Sequence, residues 1–179
     1  MVLAILLVSV AHAADEKLTT YENKQHRFRL SYPAKLTPMD VPSKLSIVYL
    51  GTEPDGPDDN FRESVMFKRE TPTRLPDLTF DQALNGLVGS MNKAGIKVVE
   101  STPAKLGGLR AQRILYTHQL NRPEGDLGVK AILYFVYKDN QPYSLDIRAT
   151  EQTFDRFAPI AQKVVDSFQW TDATDGKER

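Results

Sequence analysis

Polar and apolar residues alternate along several stretches of this chain, and such alternation is typical of β-strands that bury one face. In the clearest example, Tyr143, Leu145, Ile147 and Ala149 all fall on one side of the backbone. Stretches with this pattern cover residues 27–32, 44–50, 61–69, 109–118, 129–137 and 143–149. The sequence therefore predicts about six strands.

Two other stretches repeat apolar residues at the period of an α-helix. The first opens with Thr79-Phe80-Asp81-Gln82, a capping box in which the Thr79 hydroxyl and the Gln82 amide satisfy free donors of the first turn. It ends before Gly95, and its apolar stripe consists of Phe80, Ala83, Leu84, Leu87, Val88 and Met91. The second stripe consists of Phe154, Phe157, Ile160, Ala161, Val164, Val165 and Phe168. Pro159 either kinks the second helix or occupies its first turn.

Short turns join several of the predicted strands. Residues 138–142 have the composition of a hairpin turn, Gly107-Gly108 fits a tight turn, and residues 51–57 form a solvent-exposed loop. Short turns favour antiparallel pairing, and two helices far apart in sequence favour a sheet covered by helices over a doubly wound fold. The predicted fold class is α+β, with an antiparallel β-sheet of about six strands flanked by helices.

Composition is that of an ordinary globular protein and excludes several classes of function. The chain has 179 residues, of which 41% are hydrophobic and 26% are charged, which suits one folded domain. Lys and Arg total 23 and so do Asp and Glu, so there is no net positive charge with which to bind nucleic acid. Cysteine is absent, which excludes a disulfide, a thiolate zinc site, a thiol nucleophile and a lipidated cysteine.

Residues 1–13 have the pattern of a signal peptide, although no Lys or Arg follows Met1. Residues 1–10 are apolar except for Ser9, and Ala11-His12-Ala13 offers the small side chains of a cleavage site. A run of about ten residues rises only about 15 Å as a helix, roughly half of the hydrocarbon thickness of a bilayer, so it predicts a leader and not an integral membrane span. We therefore expect a periplasmic or extracellular protein.

The rest of the chain divides into three predicted parts. Residues 14–20 are expected to form a flexible N-terminal arm, and residues 21–170 a single α+β domain. Trp170 is expected to pack just beyond the second helix. Residues 171–179 are polar and charged, and we predict a disordered tail there.

Three short motifs, in this order, resemble the PsbP-like family, which includes the DcrB-type periplasmic proteins and the lumenal proteins associated with photosystem II. They are residues 21–33 ending in Phe28-Arg29-Leu30-Ser31-Tyr32-Pro33, then Asp59-Asn60-Phe61-Arg62-Glu63-Ser64-Val65, and Val164-Val165-Asp166-Ser167-Phe168. The resemblance implies a central antiparallel sheet flanked by helices and a binding or assembly role without catalysis. It also implies the thylakoid lumen if the source is photosynthetic. Because many bacterial relatives are lipoproteins, the absence of cysteine marks this chain as a soluble variant.

Few residues suggest reactive chemistry. His26 and His118 lie outside the leader, and both are interpreted as structural or surface histidines, because a metal or catalytic role needs further ligands that the sequence does not place nearby. An acidic loop lacks the spacing of a calcium loop and is interpreted as a solvated turn; its acidic residues are Glu53, Asp55, Asp58 and Asp59. Ser90-Met91-Asn92-Lys93 has the Ser-x-x-Lys spacing of penicillin-interacting enzymes but none of their partner motifs.

One mixed set of cationic and aromatic residues falls on the predicted strands and could form a ligand platform or simply a wet sheet face. It consists of Arg110, Arg113, Tyr116 and Tyr134. We predict no catalytic residue, no metal and no cofactor, and the binding residues are left unassigned.

The favoured hypothesis is a non-enzymatic accessory or binding protein that contacts an envelope protein partner through a sheet face or the loops around Asp55. It predicts an exposed apolar or aromatic patch. One alternative is a carrier for a small apolar ligand, which needs an internal cavity. Another is a hydrolase-type enzyme that uses Asp146, Glu151 and His118, which requires those side chains to converge in one pocket.

Overall fold

A computed structural model describes residues 17–54, 56, 61–71, 74–75 and 77–172. The predicted leader and residues 173–179 lie outside this part of the chain. The elements, in chain order, are β1 (Leu18–Asn23), β2 (Phe28–Pro33), β3 (Thr37–Pro38), β4 (Ser46–Gly51), β5 (Ser64–Arg69), α1 (Phe80–Lys93), β6 (Lys97–Leu106), β7 (Leu109–Leu120), β8 (Leu127–Lys138), β9 (Gln141–Thr150), α2 (Phe154–Ser167) and β10 (Gln169–Trp170).

The strands form two antiparallel sheets. The large sheet has seven strands in the order β3-β4-β5-β9-β8-β7-β6, and the small sheet has three in the order β1-β2-β10. Every strand pair in both sheets is antiparallel. The prediction of an α+β fold with a large antiparallel sheet and two helices is therefore confirmed, and the predicted strands correspond to β2, β4, β5, β7, β8 and β9.

The first face of the large sheet holds the larger core. There α2 packs against β2 and β9, so the helix and the small sheet together cover this face. Phe67 on β5 is fully buried, with its ring centroid 4.7 Å from that of Phe28 and 5.0 Å from that of Phe168. Trp170, which was predicted to pack just beyond the second helix, lies in the same aromatic cluster, with its ring 5.1 Å from that of Phe168.

The second face of the large sheet is covered by α1, which contacts β6 and β8. The predicted capping box is present. The backbone N–H of Gln82 donates to the Thr79 hydroxyl, and the side-chain oxygen of Gln82 accepts from the backbone N–H of Thr79 at 2.8 Å. Only Ala83 and Met91 of α1 are buried, whereas the other stripe residues are half-buried. The apolar stripe of α1 is thus less deeply packed than its sequence suggests.

Two tight turns have the geometry that their residues predict. Asp139 and Asn140 join β8 to β9 with φ of 51° and 59°, the left-handed pair that a two-residue hairpin turn requires. Gly107 and Gly108 join β6 to β7 with φ of 57° and 87°. A Cβ on Gly107 would lie 2.8 Å from Trp170, so this turn rests directly on the aromatic cluster.

Strand β6 lies at one edge of the large sheet. Its pairing with β7 shifts register between Val98 and Glu100, and the intervening Val99 is 54% exposed. Pro103 lies near the middle of the strand, where it provides no amide hydrogen. A bulge and a proline are two devices that blunt a sheet edge against pairing with another strand.

The structure shifts two predicted boundaries. Strand β1 begins at Leu18, inside the segment that we assigned to a flexible arm, because it pairs along its full length with β2. Thr171 and Asp172, assigned to the disordered tail, are also held, since the Thr171 N–H donates to the Arg27 carbonyl at 2.9 Å. No helix among the described residues is long and apolar enough to cross a bilayer.

Candidate binding cleft

A cleft of about 410 Å³ opens where three parts of the chain meet at one end of the two sheets. The turn between β1 and β2 forms one wall, the end of β5 with the segment after it forms another, and the β8–β9 hairpin forms the third. The residues that line it are Gln25, His26, Arg27, Arg69, Arg74, Lys138, Asp139, Gln141 and Tyr143. We call this the cationic cleft, because four of these side chains are Arg or Lys and one is Asp.

The floor of the cationic cleft is continuous with the aromatic cluster of the first face. Tyr143 stacks on Phe67 with ring centroids 5.5 Å apart and an interplanar angle of 5°, and its ring meets the edge of Trp170 at 5.6 Å. His26 in turn packs edge-on against Tyr143 at 6.3 Å. Burial raises the pKa of the Tyr143 hydroxyl, so it stays protonated and able to donate. Close packing of these rings gives the cleft a rigid base.

One side of the cationic cleft is occupied by a half-buried lysine that is paired with two carboxylates. The Lys138 ammonium donates to Asp172 at 2.6 Å and to Asp139 at 2.7 Å, and its side chain is only 13% exposed. Burial disfavours the Lys138 charge, but the two bonded carboxylates outweigh burial and raise the pKa of Lys138 above its ordinary value. Arg27 adds a longer pair to Asp172 at 3.6 Å.

The opposite side of the cationic cleft carries Arg69 and Arg74. The Arg69 Nη2 donates to the Lys44 carbonyl at 3.5 Å, and its buried Nε has no hydrogen-bond partner among the described residues. Burial, and next the positive charge of Arg69, lower the pKa of His26, so that ring is neutral at neutral pH. Gln141 ties the segment after β5 in place, because its amide donates to the Thr71 carbonyl at 3.0 Å.

The hypothetical catalytic set comes together only in part. His118 and Asp146 both contact Tyr116, with the two aromatic rings 6.0 Å apart and the Tyr116 hydroxyl donating to Asp146 at 2.9 Å. Asp146 is 1% exposed and also accepts from the Arg148 Nε at 2.7 Å, so its oxygens are already bonded within the fold. Glu151 is exposed in the turn after β9.

The pKa values of this second-face network follow from its burial. Burial, and next the charge of Asp146, raise the pKa of the Tyr116 hydroxyl. The Asp146 carboxylate raises the pKa of the Arg148 guanidinium. Burial, and next Arg148, lower the pKa of His118, which Asp146 only partly opposes. Tyr116 and Arg148 both donate to Asp146, so the hydrogen bonds of this network are satisfied within the fold.

The cationic and aromatic set predicted as a platform is divided between two faces. Tyr116 belongs to the core of the second face and Tyr134 to that of the first. Arg113 pairs with Glu100 at 3.5 Å, and Arg110 pairs with Asp81 at 2.7 Å while lying 4.1 Å over the Phe80 ring. These four residues therefore do not form one surface.

The other predicted features give no site among the described residues. Glu53 accepts a hydrogen bond from Thr37 at 3.2 Å, whereas Asp55, Asp58 and Asp59 lie outside the described part of the chain. The Ser90 hydroxyl donates to the Gly86 carbonyl at 3.0 Å within α1. In the described ranges, no group of three or more His, Asp or Glu side chains could hold a metal ion.

Sequence reasoning missed the cationic cleft, although it named His26 and the hairpin turn beside it. Its cations come from residues 27, 69, 74 and 138, which no local motif connects. The available signal was weak: Arg27 and Arg69 lie at the ends of predicted strands, and Lys138 opens the predicted hairpin turn.

No family model and no curated protein sequence matches the chain. Solved structures do match its fold. Cyanobacterial PsbP from Synechocystis has a TM-score of 0.56 at 15% identity, over 92% of this chain and 98% of that protein. LpqN of Mycobacterium tuberculosis, which is involved in cell envelope biogenesis, has a TM-score of 0.54 at 12% identity, over 88% and 86%.

A third solved structure is the Ran-binding protein Mog1p of Saccharomyces cerevisiae. Its TM-score is 0.56 at 10% identity, over 88% of this chain and 97% of that protein. At such identities the likeness concerns the fold alone, and it supports a PsbP-like α+β fold. The finer DcrB-type resemblance stays a prediction.

Proposed function

We propose that this chain is an exported, non-enzymatic accessory protein of the cell envelope, and that it works by binding a partner protein at the cationic cleft. The observation that carries the proposal is the cleft itself, where charged and polar side chains surround the half-buried ring of Tyr143. Such a combination of an aromatic ring with charged and polar donors is typical of recognition surfaces. Support for export comes from the leader pattern of residues 1–13.

The structural neighbours are consistent with a binding role. LpqN is described as involved in cell envelope biogenesis, and Mog1p as a Ran-binding protein. A fold can host many activities, so these neighbours support the proposal only as analogy. The site argument is stronger, because Asp146, one of the two carboxylates of the enzyme alternative, is bonded by Tyr116 and Arg148, and the other, Glu151, is exposed in the turn after β9.

Capture from the envelope of the native organism tests the proposal. A tagged chain is expressed there, its mature N-terminus is determined by mass spectrometry, and bound proteins are crosslinked and mapped. We expect cleavage before Ala14, recovery from the envelope fraction, and crosslinks from one partner to residues around Arg74 and Lys138. An Arg69→Gln/Arg74→Gln variant should lose that partner, whereas Arg110→Gln, on the second face, should retain it.

Two results would defeat the proposal. One is a mature protein recovered from the cytosol with residues 1–13 still attached. The other is hydrolysis of a substrate from a broad panel that is lost in a His118→Ala variant, because that result would establish the enzyme alternative. Thermal unfolding of each variant separates loss of binding from loss of fold.

A further inference from the structure

We infer that the cationic cleft binds the carboxylates of an acidic segment of its partner, held by the guanidinium groups of Arg69 and Arg74. This inference deepens the proposed function and rests on it in taking the anion to belong to a protein. The juxtaposition that carries it is two arginines that line one cleft together with a neutral histidine and a half-buried tyrosine.

Charge accounting separates the four cations of the cleft into two pairs. Lys138 and Arg27 are neutralised by Asp139 and Asp172. Among the described residues, no carboxylate forms a salt bridge with Arg69 or Arg74. The cleft therefore holds two positive charges in a protein whose overall formal charge is zero. Two monovalent carboxylates match that surplus.

Hydrogen-bond geometry points to the same ligand. Among the described residues, the Arg69 guanidinium makes only a long bond, from Nη2 to the Lys44 carbonyl at 3.5 Å, and its buried Nε has no partner. A carboxylate can accept from two nitrogens of one guanidinium at the same time, which makes the bond bidentate and charge-assisted. Arg74 is exposed on the same wall as Arg69, where a second carboxylate can reach it from solvent.

The neighbouring polar groups suit an anion without adding charge. His26 is neutral at neutral pH, because burial and Arg69 lower its pKa, and a neutral imidazole still offers one N–H donor. The Tyr143 hydroxyl is kept protonated by burial, which raises its pKa. Both rings are fixed by their mutual contact at 6.3 Å and by the stacking on Phe67.

A carboxylate ligand is favoured over a phosphate by the walls of the cleft. Phosphate sites are commonly built from backbone amides at a helix N-terminus or in a glycine-rich loop. The cationic cleft is lined instead by strand ends and hairpin turns, and its residues include neither a helix residue nor a glycine. Guanidinium forks bind carboxylates and phosphates alike, so the lack of a helix N-terminus or glycine-rich loop in the lining is what favours a carboxylate.

Peptide titration tests this inference without the native partner. The mature chain is titrated with a hexaglutamate peptide and with a hexaglutamine peptide of equal length, and the fluorescence of Trp170, the single tryptophan, reports binding. This reporter lies 5.6 Å from Tyr143 in the floor of the cleft. We expect binding of the acidic peptide alone, weakened by salt as an exposed charge interaction is.

Variants then locate the binding. Arg69→Gln and Arg74→Gln should each lower the affinity for the acidic peptide about tenfold or more, which is the effect of losing one charge-assisted contact. Arg110→Gln, which removes a cation of the second face, should change nothing. If Arg69→Gln fails to fold, the exposed Arg74→Gln and the charge reversal Arg74→Glu carry the test, and the reversal should abolish binding of the acidic peptide.

Three outcomes would overturn the inference: equal binding of the two peptides, unchanged affinity in Arg74→Gln, or tighter binding of inorganic phosphate than of the acidic peptide. The proposed function is tested separately from this inference. If a partner is captured independently of Arg69 and Arg74, the proposed function fails even when the acidic peptide binds. If the acidic peptide does not bind, this inference fails, and the crosslinks of the envelope capture still decide the proposed function.

Discussion

The two faces of the large sheet are built on different principles. On the first face, α2 and the small sheet enclose an aromatic cluster centred on Phe28 and Phe67. On the second face, α1 buries few of its own side chains, and the adjoining strands carry the hydrogen-bonded network of Tyr116, Asp146 and Arg148. Apolar burial stabilises the first face directly, whereas a buried ionic network contributes little net stability but is costly to break.

The largest expected contrast is between two leucines. Leu145 on the first face is fully buried, and Leu87 on α1 is half-buried. Leu145→Ala should lower the free energy of unfolding by about 4 kcal/mol, because it removes buried area and leaves a cavity. Leu87→Ala should cost about 1 kcal/mol. Urea unfolding of both variants measures the difference, and equal losses would contradict the distinction between the faces.

Breaking the polar network is expected to have the next largest effect. Asp146→Asn leaves the Arg148 guanidinium, whose side chain is 36% exposed, without its anion. We expect a loss of about 3 kcal/mol in the free energy of unfolding. The matched control is Asp155→Asn, since the Asp155 side chain is 90% exposed and its pair with Lys130 contributes about 0.5 kcal/mol. A loss no larger than in this control would show that the network is not needed.

A smaller contrast lies within the turn between β6 and β7. Gly107→Ala should cost about 2 kcal/mol, because its φ is positive and the new Cβ would lie 2.8 Å from Trp170 and 3.0 Å from Phe168. At Gly108 the φ is also positive but nothing lies within 4 Å, so Gly108→Ala should cost about 1 kcal/mol from the backbone alone. Thermal unfolding compares the stability of the two variants. A larger loss of stability in Gly108→Ala would contradict the claim that the turn packs on the aromatic cluster at Gly107.

The smallest effect concerns pH on the second face. His118 has a pKa below its ordinary value of 6.5 in the fold, so the unfolded chain takes up the proton first as pH falls. The stability tied to neutral His118 is present above pH 6.5 and decreases as pH falls through its lowered pKa. His118→Gln should therefore flatten the decline in stability on acidification, as chemical unfolding between pH 8 and pH 5 would measure. Since the pKa of His26 is also lowered, a partial slope remains.

The sequence predicted those helices and strands that have a clear hydrophobic period or a recognisable capping motif. Alternation located β9, and the Thr79–Gln82 capping box located the start of α1. Strand β6 was missed because it is an edge strand: its side chains are mostly exposed, so burial imposes no clear alternation, and Pro103 argues against a strand. Strand β1 was missed for the first of these reasons.

The candidate site was beyond sequence reasoning for a different reason. Arg69 and Arg74 meet His26 only because β5 and the β1–β2 turn end at the same side of the molecule, and that meeting depends on the pairing of β5 with β9. The pattern of hydrophobic and polar residues predicts which side chains are buried. It does not predict the neighbours of an exposed cation, because these depend on which strand ends and turns the tertiary structure brings together. Conversely, His118 and Asp146, which the enzyme hypothesis grouped together, both contact Tyr116, and Asp146 is bonded within the fold by Tyr116 and Arg148.

The bulged, proline-bearing edge at β6 has a consequence for how copies of this protein behave when crowded. An unprotected edge strand can pair with a strand of another copy, and repeated pairing of this kind leads to aggregation. The β6 edge is a poor partner for another strand for two reasons. The positive charges of Lys97 and Lys105 repel those of a second copy, and Pro103 has no amide hydrogen to donate. The fold thereby protects its β6 edge against pairing with another copy of the chain, whereas the cleft proposed for binding lies at the β1–β2 turn, the end of β5 and the β8–β9 hairpin.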